Sequence, residues 1–262
     1  MPPRFLQPGE DAETTGAKFV LDCNGMVVVK ISPEDLQKEW DMYNLLKSLD
    51  IPDLTNYFCY FRCADSITRL VQPFCEGMGD TMQALVMEYV AAKSFKSFDW
   101  SNVHIGVMRS CIKHAIMFAL VAYRRCGFVH GDFHLDNILV QPTHATAITY
   151  DSVDLPLLGY RIRVLDFEFS KTDQPVRRFF EDVRVFVRKL LQLDDFLLPD
   201  DVNRMSMMIR SWIDGGEQDP DVVLQLLPMC DTLRSNGPVS CGGSLPHRRP
   251  YVYFGRKKGH RI

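Results

Sequence analysis

The sequence predicts an α+β fold in two lobes, a small β-rich lobe with one helix up to about residue 90 and a larger, mainly helical lobe after it. Three observations carry this expectation. Two apolar β-forming runs, Phe19-Val20-Leu21 and Met26-Val27-Val28-Val29-Lys30, flank Asn24-Gly25, which together signal a hairpin. Leu36, Trp40, Tyr43, Leu46 and Leu49 then recur at helical spacing. From about residue 100 the apolar pattern becomes helical and continues so to about 228.

Residues 1–16, rich in Pro, Gly and charge, read as a loose entry. Ser32-Pro33-Glu34-Asp35 reads as a helix start, with Ser32 as N-cap, Pro33 in the first turn and acids following. Ile51-Pro52 ends that helix. Residues 55–75 and 84–90 read as strands. Met108, Cys111, Ile112, Ala115, Ala119 and Ala122 share a helix face within 105–126. From Phe128 to Val140, apolar ends enclose a polar middle, as in a loop entering a short strand. Arg161–Phe167 reads as a strand ending in an acid, and Phe179, Val183, Phe186 and Leu190 mark a helix from Pro175. The expected divisions are 1–90, 91–235 and a basic tail, 236–262.

With 262 residues, the chain is one large domain or two small ones. A net charge of −3 makes the molecule as a whole a poor polyanion binder. No apolar run approaches the roughly 20 residues of a membrane span, and Met1-Pro2-Pro3-Arg4 has no apolar signal core behind it. Eight scattered cysteines form no C-x-x-C pair; reduced thiols are expected, and a zinc site is not. These features place the chain inside a cell, in cytosol or nucleus, as a monomer with no membrane partner.

The segment richest in chemistry is His130-x-Asp132-x-x-x-x-Asn137-Ile138-Leu139-Val140. A carboxylate and a carboxamide five residues apart on a tight loop can face a nucleophile and a metal respectively. The alternative is a polar turn between a helix and a strand. Val164-Leu165-Asp166-Phe167-Glu168 supplies a second acid at a strand end, and Lys30 closes an apolar strand ahead of a helix bearing Glu34 and Glu39.

In this order the segments resemble the protein-kinase-like superfamily: its H-x-D-x-x-x-x-N catalytic loop, its D-F-G metal loop and its strand lysine. The resemblance implies ATP and Mg²⁺ as cofactors. By it, Asp132 accepts or orients the proton of a substrate hydroxyl, Asn137 and Asp166 hold Mg²⁺, and Lys30 clamps phosphate. Glu39 orients Lys30, with Glu34 the second choice. His130 and Asp182 brace the loop. Met87-Glu88-Tyr89-Val90 resembles the hinge that pairs with adenine, Met87 being the gatekeeper. Gly16-Ala17-Lys18-Phe19-Val20 resembles a remnant of the glycine-rich loop, with Gly16 over the phosphates.

The chain also departs from that pattern. Glu168 stands where Gly is usual, no full G-x-G-x-x-G loop or P-loop is present, and no A-P-E follows a very short segment after Asp166. His134 two residues after Asp132 is similar to aminoglycoside and choline phosphotransferases and to haspin-type kinases. The long interval from Asn137 to Asp166, read as an inserted hairpin, is similar to haspin-like kinases and the small Ser/Thr kinases of large DNA viruses; a viral chain would act in its host cell. The implied function is a Ser/Thr protein kinase acting on a protein substrate. A small-molecule kinase and a pseudokinase scaffold are the alternatives. The tail carries Arg248, Arg249, Arg256, Lys257, Lys258 and Arg261 with interleaved aromatics. It reads either as a contact for nucleic acid or an acidic partner, or as a solubilising tail, the second being preferred.

Overall fold

A computed structural model describes residues 17–22, 25–63, 81–193 and 196–234. Gly16, the basic tail and most of the strand expected over 55–75 lie outside the described residues.

The first elements build one antiparallel sheet. β1 (Ala17–Asp22) pairs with β2 (Gly25–Ser32), as the Asn24-Gly25 signal predicts. β3 (Tyr57–Arg62) and β4 (Gln83–Glu88) complete the order β1-β2-β4-β3. Alternation along β2 decides where Lys30 points. Val29 and Ile31 are buried with Ala84 on one face, while Lys30 sits opposite Leu85, which joins the main core on the other. Helix α1 (Leu36–Ser48) packs on β3 and β4 and buries Leu36, Glu39, Tyr43 and Leu46 at helical spacing. The expected cap is corrected here. Ser32 is the last residue of β2, and Asp35 is the N-cap, accepting from the Gln37 N–H at 3.2 Å. Strand pairing with Gln83 holds Ser32 extended, so the helix starts three residues later than its Ser-Pro signal suggests.

Beyond the sheet, the described residues add five short strands and four α-helices. β5 (Lys93–Ser94), β6 (Ile138–Pro142), β7 (Ala147–Tyr150), β8 (Val153–Pro156) and β9 (Tyr160–Val164) give a three-stranded sheet, β5-β6-β9, and the inserted hairpin β7-β8. α2 (Ile105–Cys126) runs through the core, its residues Val107 to Ala122 mostly buried. It ends at Gly127, whose left-handed φ of +63° lets the chain turn back; a Cβ there would come within 2.9 Å of the Asp173 backbone. At 22 residues α2 is long and apolar enough, by length and composition, to cross a membrane, which corrects the reading that no run approaches that length. Most of it is buried inside the fold, as in the core helix of a soluble domain.

α3 (Val176–Lys189), α4 (Pro199–Gly215) and α5 (Leu226–Thr232) complete the helical part. α3 turns Phe179, Asp182, Val183 and Phe186 inward on one stripe. Phe179 stacks on Tyr123 of α2 at 4.7 Å, and Phe186 lies 5.2 Å from Phe133, which seats α3 beneath the loop at 130–137.

A polar knot ties the chain leaving α1 to α2, β7 and β9. Arg125 of α2 donates to the Leu49 carbonyl, just past the end of α1. Asp53, 2% exposed, accepts from Arg161 Nη2 at 2.8 Å and from the Tyr150 hydroxyl. The backbone of Asp53 and Thr55 bonds to Val164 in β9.

Cys59, Cys111, Cys126 and Cys230 are free thiols, but Cys63 is disulfide-bonded, to a cysteine outside the described residues. The expectation of reduced thiols throughout is corrected at that position. Spacing along a chain carries no information on which sulfurs the fold brings within bonding range.

Candidate active site

Three carboxylates converge on Lys30. Its ammonium bonds Glu39 Oε2 at 2.7 Å from α1, Asp166 Oδ1 at 2.9 Å from the turn after β9, and Glu168 Oε2 at 3.1 Å. Glu34, the second choice of partner, is exposed. Glu39 is wholly buried. Its other oxygen accepts from the Tyr57 hydroxyl at 2.6 Å, and that hydroxyl accepts from the Asp166 N–H at 3.2 Å. Burial acts to lower the Lys30 pKa, but the carboxylates of Glu39 and Asp166 outweigh it and hold the ammonium charged above its ordinary range. Burial also raises Glu39, and Lys30 pulls it back. Asp166 is one of the few non-glycine residues with a left-handed φ, +67°, a conformation that costs free energy and often marks a functional turn.

The second group lies on the loop at 130–137. Asn137 donates from Nδ2 to the Asp132 backbone carbonyl at 3.0 Å and to its carboxylate at 3.2 Å. His134 Nε2 lies 3.1 Å from the same carboxylate oxygen. The hydrogen bond from His134 holds Asp132 below the usual carboxylate range, against the pull of partial burial. Asp132 is therefore an ionised carboxylate, open to solvent on one side, and able to accept a hydrogen bond from a hydroxyl placed there.

Backbone contacts hold this loop against the strand that delivers Asp166. The Leu165 N–H donates to the Asn137 carbonyl at 3.2 Å. His130 Nε2 lies 3.1 Å from the Leu165 carbonyl. From below, Asp182 of α3 accepts the N–H groups of His130 at 2.8 Å and Gly131 at 3.1 Å. Gly131 has φ +77°, and a Cβ there would stand 2.5 Å from the Phe169 carbonyl oxygen. Gly131→Ala is expected to destabilise the protein by about 1–3 kcal/mol and to displace the loop. Thermal unfolding beside nucleotide titration checks this, and an unchanged melting temperature overturns it.

A carbonyl oxygen can only accept, so the proton of the His130 ring sits on Nε2. Nδ1 is buried with no hydrogen-bond partner among the described residues. Burial pushes the ring pKa down to about 4. The unfolded ring takes a proton near pH 6.5 and the folded ring near 4, so His130 withdraws roughly 3 kcal/mol of stability as pH falls through that window. Asp182, pushed by burial up to about 7, contributes with the opposite sign over an overlapping range. A melting curve would mix the two. The ring resonances of His130 in a labelled sample should instead stay those of a neutral imidazole down to about pH 4; protonation near 6.5 would show that the ring is solvated.

A protein-family model described as the RIO domain matches residues 78–151. The RIO domain is an atypical protein kinase family, and the match supports the resemblance to the protein-kinase-like superfamily. It spans β4 to β7 and includes the loop with His130, Asp132 and Asn137, less than a third of the chain. No curated protein matches the chain. The mixed α/β architecture, with small antiparallel sheets and several helices, is compatible with a kinase-like fold.

Met87 and Glu88 end β4, and buried Val90 follows. The Glu88 carboxylate accepts from Asn56 at 2.6 Å. Two contributions were not visible in the sequence. Tyr57 links Glu39 to the Asp166 backbone across gaps of 18 and 109 residues. Glu168 reaches Lys30 as a third carboxylate. An aromatic in an alternating strand has no feature that marks it for such a role.

The oxygen donors suit a hard divalent cation. Carboxylate oxygens of Glu39, Asp166 and Glu168 all lie within 4.8 Å of one another. The Asn137 amide, donating from Nδ2 to Asp132, keeps its carbonyl oxygen as a donor to metal.

Proposed function

We propose that this chain transfers the γ-phosphoryl group of ATP to a serine or threonine hydroxyl of a protein. The observation that carries the reading is the pairing of a half-buried Lys30–Glu39–Asp166 cluster with an ionised Asp132, joined through Leu165 and the loop that begins at His130. The β1–β4 sheet with α1 would be one lobe and the helical part the other, with the nucleotide between them. Met87, Glu88 and Val90 would border the base.

Asp166 and Asn137 would hold Mg²⁺, which when bound neutralises charge on the phosphates. The chain's own residues supply the rest. Lys30, oriented by Glu39, neutralises phosphate oxygens. Asp132 receives the proton as the acceptor oxygen bonds to the γ-phosphorus and the bond to the β-phosphate oxygen breaks, releasing ADP. His130 and Asp182 keep the loop in position. The finer likeness to haspin-like kinases rests on the β7-β8 hairpin and on Asp166-Phe167-x-x-Ser170.

The test is transfer of labelled phosphate from ATP with Mg²⁺ to histone, casein and myelin basic protein. Label on Ser or Thr of any of these supports the reading. Label on small hydroxyl compounds alone would move the assignment to a small-molecule kinase. Nucleotide binding with no transfer would make the chain a pseudokinase.

A further inference from the structure

Beside Asp132 lies a small cavity of about 100 Å³ lined by Lys96, His134, Leu135, Asp136, Lys189 and Gln192. Three separate parts of the chain build it: the turn after β5, the loop at 130–137, and the end of α3. Its charge is not balanced. The Asp136 carboxylate is already engaged, by Lys96 Nζ at 3.5 Å and Ser94 Oγ at 3.5 Å. Lys189 makes no ion pair among the described residues. A cation in the last turn of a helix is also favoured by the helix dipole. The helix end favours Lys189 but supplies no carboxylate, so with Lys96 paired to Asp136 the Lys189 ammonium is left as the unbalanced charge among the described residues at the hollow.

We propose that this cavity receives an acidic side chain of the substrate protein and so selects acceptor hydroxyls that have an acidic neighbour. The proposal rests on the phosphotransfer reading. The distance supports it: His134 lines the cavity and its Nε2 is 3.1 Å from Asp132, so one imidazole ring separates cavity and proton acceptor. An extended peptide advances about 3.3 Å per residue. A hydroxyl at Asp132 therefore puts the acidic residue within about one to three positions of it. The cavity has room for a carboxylate or phosphate group but not for a nucleotide. The shared chemistry is an anionic oxygen group, which aspartate, glutamate or phosphoserine could supply.

The test uses the full chain and Ser/Thr peptide libraries in which each flanking position is fixed in turn as Glu, phosphoserine, Ala or Lys. Wild type should favour Glu or phosphoserine over Ala at one position by about five-fold in kcat/KM, the scale of an exposed ion pair. Lys189→Glu should lose that preference and gain one for Lys at the same position, with transfer to the Ala-fixed library unchanged. A larger gain with phosphoserine than with Glu identifies a phosphorylated substrate. Indifference of wild type at every position, or an unaltered preference in Lys189→Glu, overturns the proposal.

Binding of a fluorescent Glu-rich peptide, read by anisotropy, separates the two readings. Peptide binding that Lys189→Glu removes, with no transfer to any library, keeps the acidic site and rejects the kinase reading. Transfer without charge-dependent binding or selection keeps the kinase and rejects the site.

Discussion

Under the proposed phosphotransfer, Asp132→Asn is expected to lower transfer by roughly 10²–10⁴-fold, the range lost with a positioned proton acceptor, and to leave nucleotide affinity nearly unchanged. The substitution keeps the size of the side chain and removes its charge. The loop should survive, because Asn137 also bonds the Asp132 backbone carbonyl, and Asp182 holds the amides of His130 and Gly131 independently. Lys30, Glu39 and Asp166 lie on other elements. Labelled transfer beside calorimetric nucleotide binding reads the two quantities separately. Full transfer by the variant would remove Asp132 from the chemistry; loss of both would mean that the loop had collapsed.

Lys30→Met has the largest expected effect on stability. It leaves Glu39, Asp166 and Glu168 facing one another with their shared cation gone. Removing one partner of a buried pair costs about 3–5 kcal/mol, since the remaining charge is buried and uncompensated. The sign with pH follows from Glu39, whose pKa burial already raises. Without Lys30 it rises further above the unfolded value. Below the unfolded pKa, near 4, both states are protonated and the cost is smallest; as pH rises the unfolded chain ionises first and the cost grows. Denaturant unfolding of Lys30→Met should thus show a deficit at pH 7.5 that shrinks towards pH 4.5. Adding Glu39→Gln should recover part of it at pH 7.5, as a carboxamide needs no cation. A deficit independent of pH would assign Lys30 a packing role instead.

Much of the site was legible because its residues sit in short, ordered segments. His130, Asp132 and Asn137 share eight residues, and Asp166 follows an apolar strand. Glu39 could be preferred to Glu34 from the apolar face it shares, and the structure pairs it with Lys30. What could not be read involves distance along the chain. Tyr57 owes its place to strand pairing that sets β3 beside β4, and the reach of Glu168 to Lys30 depends on the turn at Asp166. The misplaced start of α1 has a related cause: a local capping signal at Ser32 was overridden by the sheet. The helix over 105–126 was legible with its bounds, but its membrane-span length of apolar sequence was not, because Arg109, Lys113 and His114 interrupt a run that is otherwise apolar.

The knot around Asp53 bears on how such a site could be turned off. α1 carries Glu39, and the chain leaving α1 is moored at Leu49 by Arg125, at Asp53 by Arg161 and Tyr150, and at Thr55 by Val164. Swinging α1 outward to part Glu39 from Lys30 would strain all three moorings, and would strand a buried carboxylate at Asp53 if they broke. Such a helix is a fixed wall rather than a lever.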